Sequence, residues 1–256
     1  MIGKAIKIVK NEGLSSLTRR CLNFLKYKFN EKFYRLILTY AIWKVKHIKL
    51  ENLDELVNFS FNWLFGLIRP MQIREEILEL LKLLSEIKPK VILEIGTANG
   101  GTLFLFTRVA SENAKIISID LPKGMFGGGY PDWKIPLYKS FALSSQEIHL
   151  IRADSHDPAT LNKVKKILNG RKADLLFIDG DHTYEGVKKD FEMYSPLVKN
   201  GGIIVFHDIV PGPEENVGGV PEFWRNIKEI MKNYNKTKEI VQDWDQGGYG
   251  FGILFV

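Results

Sequence analysis

"FIDGDHTYEG" occupies residues 177–186. Leu175, Leu176, Phe177 and Ile178 make an apolar run that stops abruptly at Asp179-Gly180-Asp181-His182. A continuous apolar run suits a strand covered on both faces, as in a parallel sheet, rather than one with a wet face. Acids and a histidine directly after such a strand put polar chemistry at the carboxyl edge of the sheet, where open α/β sheets bind ligands.

The same pattern recurs on either side. "VILEIG", "KIISID", "IHLIRAD" and "GIIVFHD" are short runs rich in Ile, Val and Leu, and the intervening segments 101–110, 157–168 and 184–198 read as helices. Strand alternating with helix predicts an α/β fold with a doubly wound, mostly parallel sheet. A helix at "PEFWRNIKEIMKNY" is followed by two more apolar runs, around Ile240 and at "GYGFGILFV". Gly247-Gly248 before the last run suits an antiparallel hairpin that closes the sheet at seven strands. Strand ends carry Glu94, Asp120, Asp154, Asp179 and Asp208. Helix N-caps account for one or two such acids; a row of them maps a polar rim.

The chain has 256 residues and a net charge of +6, unevenly placed. Residues 1–50 hold 12 Lys or Arg against 2 Asp or Glu, so the basic character belongs to the beginning of the chain and not to its body. Periodic apolar positions make residues 1–69 a basic helical extension and 70–256 the main domain, entered through the amphipathic helix "REEILELLKLLSEI" at 74–87. Such an extension suits peripheral contact with an anionic membrane surface or an acidic glycan, its plain alternative being a solvated helix face. No apolar run reaches the ~20 residues of a spanning helix. Lys4, Lys7 and Lys10 interrupt the only segment that resembles a signal peptide. The single cysteine, Cys21, excludes an internal disulfide framework. A cytoplasmic protein, peripheral at the inner face of the membrane, is the expectation.

"VILEIGTANGGT" (91–102) leads a strand through Gly96 to Gly100-Gly101 at a helix start. Ala98 stands where a dinucleotide fingerprint has its middle glycine, so a nucleoside without pyrophosphate fits this turn better than NAD. Asp120, at the end of the second strand, is placed to accept from ribose hydroxyls. Asp154-Ser155, ending the third, are placed beside an adenine edge.

These segments, with "FIDGDHTYEGVKKDFEMYSPLVKNGGIIVFHD", resemble the class I S-adenosylmethionine-dependent methyltransferases. Within them they are similar to the branch of cephalosporin-hydroxylase-like proteins and macrolide-sugar O-methyltransferases. The resemblance covers about 70–256 and implies a Rossmann-like fold. It implies that Gly96, Gly100 and Asp120 hold S-adenosylmethionine, with Asp154 and Ser155 near adenine and Glu94 orienting its amino-acid end directly or through water. It also implies a divalent metal, taken by Asp179 and by the pair His207-Asp208, with His182 as general base. Converging carboxylates suit Mg²⁺; an imidazole among them suits Mn²⁺ better. A sugar hydroxyl is a weak acid, so a metal or base must help remove its proton.

The function expected is O-methyl transfer to a hydroxyl of a glycan or other small acceptor. The glycine-rich, aromatic segment 123–134, with Met125, Phe126, Tyr130 and Trp133, and the segment 210–224 are expected to border the site, as is Tyr184 unless it only packs. Two readings compete: a nicotinamide oxidoreductase sharing the sheet and Asp120, and a non-catalytic membrane- or glycan-binding protein on the same scaffold. No nucleic-acid motif is present, so nucleic acid is not an expected partner, and the sequence leaves a homo-oligomer open.

Overall fold

The structure is a computed structural model that describes residues 33, 35–124, 126, 129–234 and 236–256. Cys21, Met125 and residues 1–32 and 34 of the basic extension lie outside the described residues. The chain divides into two compact units, Met1–Val45 and Lys46–Val256. In the first, residues 35–45 are helical, and the Tyr40 and Trp43 rings stack with centroids 6.2 Å apart.

The second unit contains a seven-stranded sheet in the order β3-β2-β1-β4-β5-β7-β6. The strands are β1 (Val91–Ile95), β2 (Lys115–Asp120), β3 (Glu147–Arg152), β4 (Ala173–Ile178), β5 (Val198–His207), β6 (Thr237–Ile240) and β7 (Phe251–Phe255). β1 to β5 pair in parallel, whereas β7 runs antiparallel between β5 and β6. Every residue of β1 and β4 is buried, which is why their sequences show no alternation.

Helices cover both faces: α1 (Leu53–Asn62), α2 (Arg74–Ile87), α3 (Gly101–Val109), α4 (Ile135–Lys139), α5 (Pro158–Leu168), α6 (Tyr184–Tyr194), α7 (Glu214–Val217) and α8 (Val220–Met231). Their starts follow local chemistry. Asn52 caps α1 by accepting from Glu55 N at 2.9 Å, and Thr183 caps α6 by accepting from Gly186 N at 3.0 Å. Asp181 instead accepts from Thr183 N at 2.9 Å, fixing the turn that leads into α6. The division expected at residue 70 falls inside this unit. There α1 lies against α2 and α3, with the Phe59 and Phe104 rings 5.7 Å apart. Among the described residues no helix is long and apolar enough to cross a membrane.

A buried acid that the sequence does not advertise ties the far edge together. Glu76, in α2, is 0 % exposed and accepts from Gln242 N, Gln246 Nε2 and Gly250 N at 2.9–3.0 Å. These donors belong to the loop that delivers β7.

Candidate active site

The carboxyl edge of the parallel strands carries a cleft of about 210 Å³ whose walls include Gly96, Ala98, Asp120, Asp154, Ser155 and Asp179. The floor is the turn between β1 and α3. Gly96 has φ +96°, and a Cβ there would lie 1.9 Å from the Asp179 carbonyl oxygen. Only glycine permits both the conformation and the approach of β1's end to β4's. Gly100 likewise has φ +79° and sits against the Tyr138 ring, whose hydroxyl donates to Ala98 O at 2.9 Å.

Asp120 borders the cleft as expected, and it also builds the turn. Its Oδ2 accepts from Thr97 N (3.2 Å) and Ala98 N (2.7 Å), and its Oδ1 from Gly129 N (2.6 Å). Burial pushes its pKa up; the three amides oppose that push without cancelling it. Asp154 is half exposed and turns the chain by accepting from His156 N at 2.8 Å. Ser155 is buried, and its carbonyl accepts from Tyr194 Oη at 2.8 Å.

Glu94 precedes the glycine turn by two residues. It lies within β1, is 0 % exposed, and accepts from Thr102 Oγ1 at 2.6 Å and from Ser118 Oγ. Each oxygen accepts from one of these hydroxyls, which ties β1 to α3 and to β2. Burial pushes its pKa to about 8 despite the two hydroxyl donors. The folded state therefore keeps a proton that the unfolded state loses near its ordinary pKa. The stability this contributes is complete below that ordinary value and is lost as pH rises toward about 8. In urea titrations, the unfolding free energy of wild type minus that of Glu94→Gln should fall between pH 5 and pH 8, by an amount of order a few kcal/mol. A difference that stays flat with pH would show that Glu94 is ionised in the fold.

The other half of the site gathers at the ends of β4 and β5. Asp179 Oδ1 faces His207 Nδ1 at 3.0 Å and His182 Nε2 at 3.4 Å. Asp208 Oδ2 faces His182 Nδ1 and His207 Nδ1, each at 3.4 Å. His182 Nδ1 also donates to the Asn216 carbonyl. Burial alone would raise the Asp179 pKa, but His207 and His182 outweigh it and hold the carboxyl below the usual range. Burial works against charge on His182, and Asp179 and Asp208 outweigh that in turn, raising its pKa. Asp208 has φ +61°, a conformation Asp tolerates better than most residues, and its Oδ1 accepts from Tyr249 N at 3.0 Å.

The ligand set expected for a metal was Asp179, His207 and Asp208. Asp179, His182 and Asp208 present donor atoms within 4.8 Å of one another, and His207 Nδ1 lies 3.0 Å from Asp179 Oδ1 and 3.4 Å from Asp208 Oδ2. His207, the last residue of β5, is 3 % exposed and turned inward, with Nδ1 on the two carboxylates.

Around this cluster, the Phe126 ring stacks on His182 at 4.7 Å and also walls the cleft. Tyr130 is buried against Tyr138 at 4.8 Å, and the Tyr184 hydroxyl accepts from Asn226 on α8, so neither faces the cleft. Two contributors escaped sequence reasoning. The Asn216 carbonyl left no sequence signal, because any residue has one. Gln72, 107 positions from Asp179, donates Nε2 to Asp179 Oδ2 at 2.9 Å.

Residues 93–209 match a family described as "Methyltransferase domain". The chain is 34 % identical over 162 residues to the uncharacterised protein R132 of Acanthamoeba polyphaga mimivirus, covering 63 % of this chain and 65 % of that protein, less than two thirds of its length. It is 22 % identical over 188 residues to the rhamnosyl O-methyltransferase of Mycobacterium bovis, covering 67 % of this chain and 70 % of that one. Among solved structures, the O-methyltransferase TomG of Streptomyces achromogenes superposes with a TM-score of 0.51 at 15 % identity, over 84 % of this chain and 93 % of that chain. The sheet order and the sequence match over residues 93–209 together make this chain similar to methyltransferase domains in fold and in that stretch of sequence.

Proposed function

We propose that this chain transfers a methyl group from S-adenosylmethionine to a hydroxyl of a sugar, glycan or other small acceptor. The observation that carries this reading is the Asp179–His182–Asp208 cluster, which shares Asp179 with the cleft. The neighbouring structure of TomG is a complex with S-adenosylmethionine, and the mycobacterial relative is named for a rhamnosyl acceptor.

The residues of the cleft fit the methyl donor. Ala98 and Gly96 bring backbone to its floor, Asp120 offers an acceptor to ribose hydroxyls, and Asp154 with Ser155 borders the adenine end. When bound there, S-adenosylmethionine supplies a methyl group on a sulfonium. His182 is the base. Its Nδ1 faces a carbonyl, which only accepts, so Nδ1 holds a proton and Nε2 is the atom that takes one from the acceptor hydroxyl. Phe126 gives an acceptor ring an apolar face beside that nitrogen.

Asp179 Oδ1 lies 3.4 Å from Nε2, where it steadies the proton that His182 takes up. Two carboxylates with an imidazole beside them suit Mg²⁺ or Mn²⁺. Asp179 and Asp208 would hold the ion, with His182 at its margin; when bound it lowers the pKa of a hydroxyl beside it.

Calorimetry checks the first half of the reading: wild type binds S-adenosylhomocysteine and not NAD, and Asp120→Ala loses most of that affinity. Transfer of labelled methyl to hydroxylated acceptors checks the second. EDTA should slow turnover about tenfold or more, and Mg²⁺ or Mn²⁺ should restore it. Full turnover in EDTA would leave Asp179 and Asp208 as clamps for His182 only. NAD binding in place of S-adenosylhomocysteine would overturn the whole reading.

A further inference from the structure

Gln72 lies in the loop between Pro70 and α2 and is 6 % exposed. Its Nε2 donates to Asp179 Oδ2 at 2.9 Å. That contact fixes the amide's orientation, because the flipped amide would set its oxygen against a carboxylate, acceptor against acceptor. Gln72 Oε1 therefore points away from Asp179, and it is buried with no hydrogen-bond donor among the described residues. An unpaired buried acceptor is costly, so such an atom in a native fold calls for a ligand or water that brings a donor.

The space beside it is suitable. A hollow of about 20 Å³, room for one small polar group, is lined by Gln72, Arg69, Gly96, Asn99, Thr102 and Asp179. Gly96, Ala98 and Asp179 also border the main cleft, so the hollow adjoins it, and neither Asp154 nor Ser155 lines the hollow. Its charges are of both signs. Asp179 and Gln72 Oε1 favour a cationic donor, and Arg69 favours an anion, a pattern that matches a zwitterionic α-amino acid.

We propose that Gln72 is a positioning residue whose Oε1 accepts a hydrogen bond from the α-ammonium of the methionine part of the methyl donor, while Nε2 holds Asp179. The assignment rests on the methyl-donor reading above. One side chain then joins the occupied cleft to the carboxylate that serves the reaction, so filling the cleft fixes Asp179's orientation.

The test titrates wild type and Gln72→Leu by calorimetry with S-adenosylhomocysteine, its desamino analogue and 5′-methylthioadenosine. Wild type should bind S-adenosylhomocysteine more tightly than the desamino analogue. Gln72→Leu should lose about tenfold or more for S-adenosylhomocysteine, the usual effect of a hydrogen bond to a charged group. Its affinity for the two ligands without an ammonium should be unchanged within about twofold. Equal weakening of all three ligands, or of none, overturns the assignment. Wild type alone also decides: no preference for S-adenosylhomocysteine over the desamino analogue means that water satisfies Oε1, which overturns it too. If wild type binds none of the three, the methyl-donor reading itself fails and takes this proposal with it.

Discussion

His182→Ala should lower kcat by about 10²-fold or more, the usual contribution of a positioned base, and leave the affinity for S-adenosylhomocysteine within about twofold. The two halves of this result come from one piece of geometry. His182 lies between Asp179 and Asp208 at the ends of β4 and β5, and it is not among the residues that wall the cleft. Removing its ring takes away the atom that receives the acceptor's proton and leaves Gly96, Asp120, Asp154 and Ser155 where they are. Single-turnover transfer measures the first effect and calorimetry the second. His182→Gln, which keeps a polar contact but cannot act as the base, should be almost as slow as His182→Ala. An unchanged kcat in His182→Ala would reduce the residue to a tie between two strand ends.

The largest stability effect should come from Gly96→Ala. The added Cβ would meet the Asp179 carbonyl oxygen at 1.9 Å and its carbonyl carbon at 2.6 Å, both backbone atoms that cannot swing aside. Asp179 N donates to Ile95 O at 2.8 Å, so retreat of Asp179 breaks the last rung between β1 and β4. The residue also holds φ +96°, which costs a side chain further strain. A loss of about 4 kcal/mol or more, or failure to fold, is expected in urea unfolding. Gly201→Ala is the control. Its φ is +77°, but nothing lies within 4 Å of the added Cβ, so only the conformational cost of about 1–2 kcal/mol applies. Equal effects of the two substitutions would mean that β1 and β4 yield at Gly96 far more easily than the hydrogen bond implies.

The sheet was legible because burial on both faces leaves uninterrupted apolar runs, and the rim was legible because acids end those runs. Asp120, Asp154, Asp179 and Asp208 stand out on that ground alone. Glu94 looked like one of them but precedes Ile95, the true end of β1. Its partners, Ser118 and Thr102, are ordinary residues whose hydroxyls become meaningful only when β2 and α3 bring them against β1.

The gathering of His207, Asp208 and His182 was hard to read for a similar reason. Adjacent strand residues face opposite ways, so His207 and Asp208 could share one site only if the backbone bent between them. It bends by carrying Asp208 into positive φ, and the carboxylate lies 3.4 Å from both His182 and His207. No pattern of residue types announces that bend. Gln72 was the least legible, since a lone glutamine beside a helix start looks like any solvated residue until the fold sets it on Asp179.

β7 enters the sheet between β5 and β6, although it comes last of the three in sequence. On the ribosome, β6 is therefore made before the strand that must separate it from β5. Until residues 251–255 emerge, Ile203 to Phe206 present an open apolar edge, and β6 has no neighbour to pair with. A chain stalled between residues 241 and 250 would hold nearly all of the domain and still expose that edge to strands of other chains. Translation of the last few residues of this sheet is thus the step at which the nascent chain stops being a hazard to its neighbours.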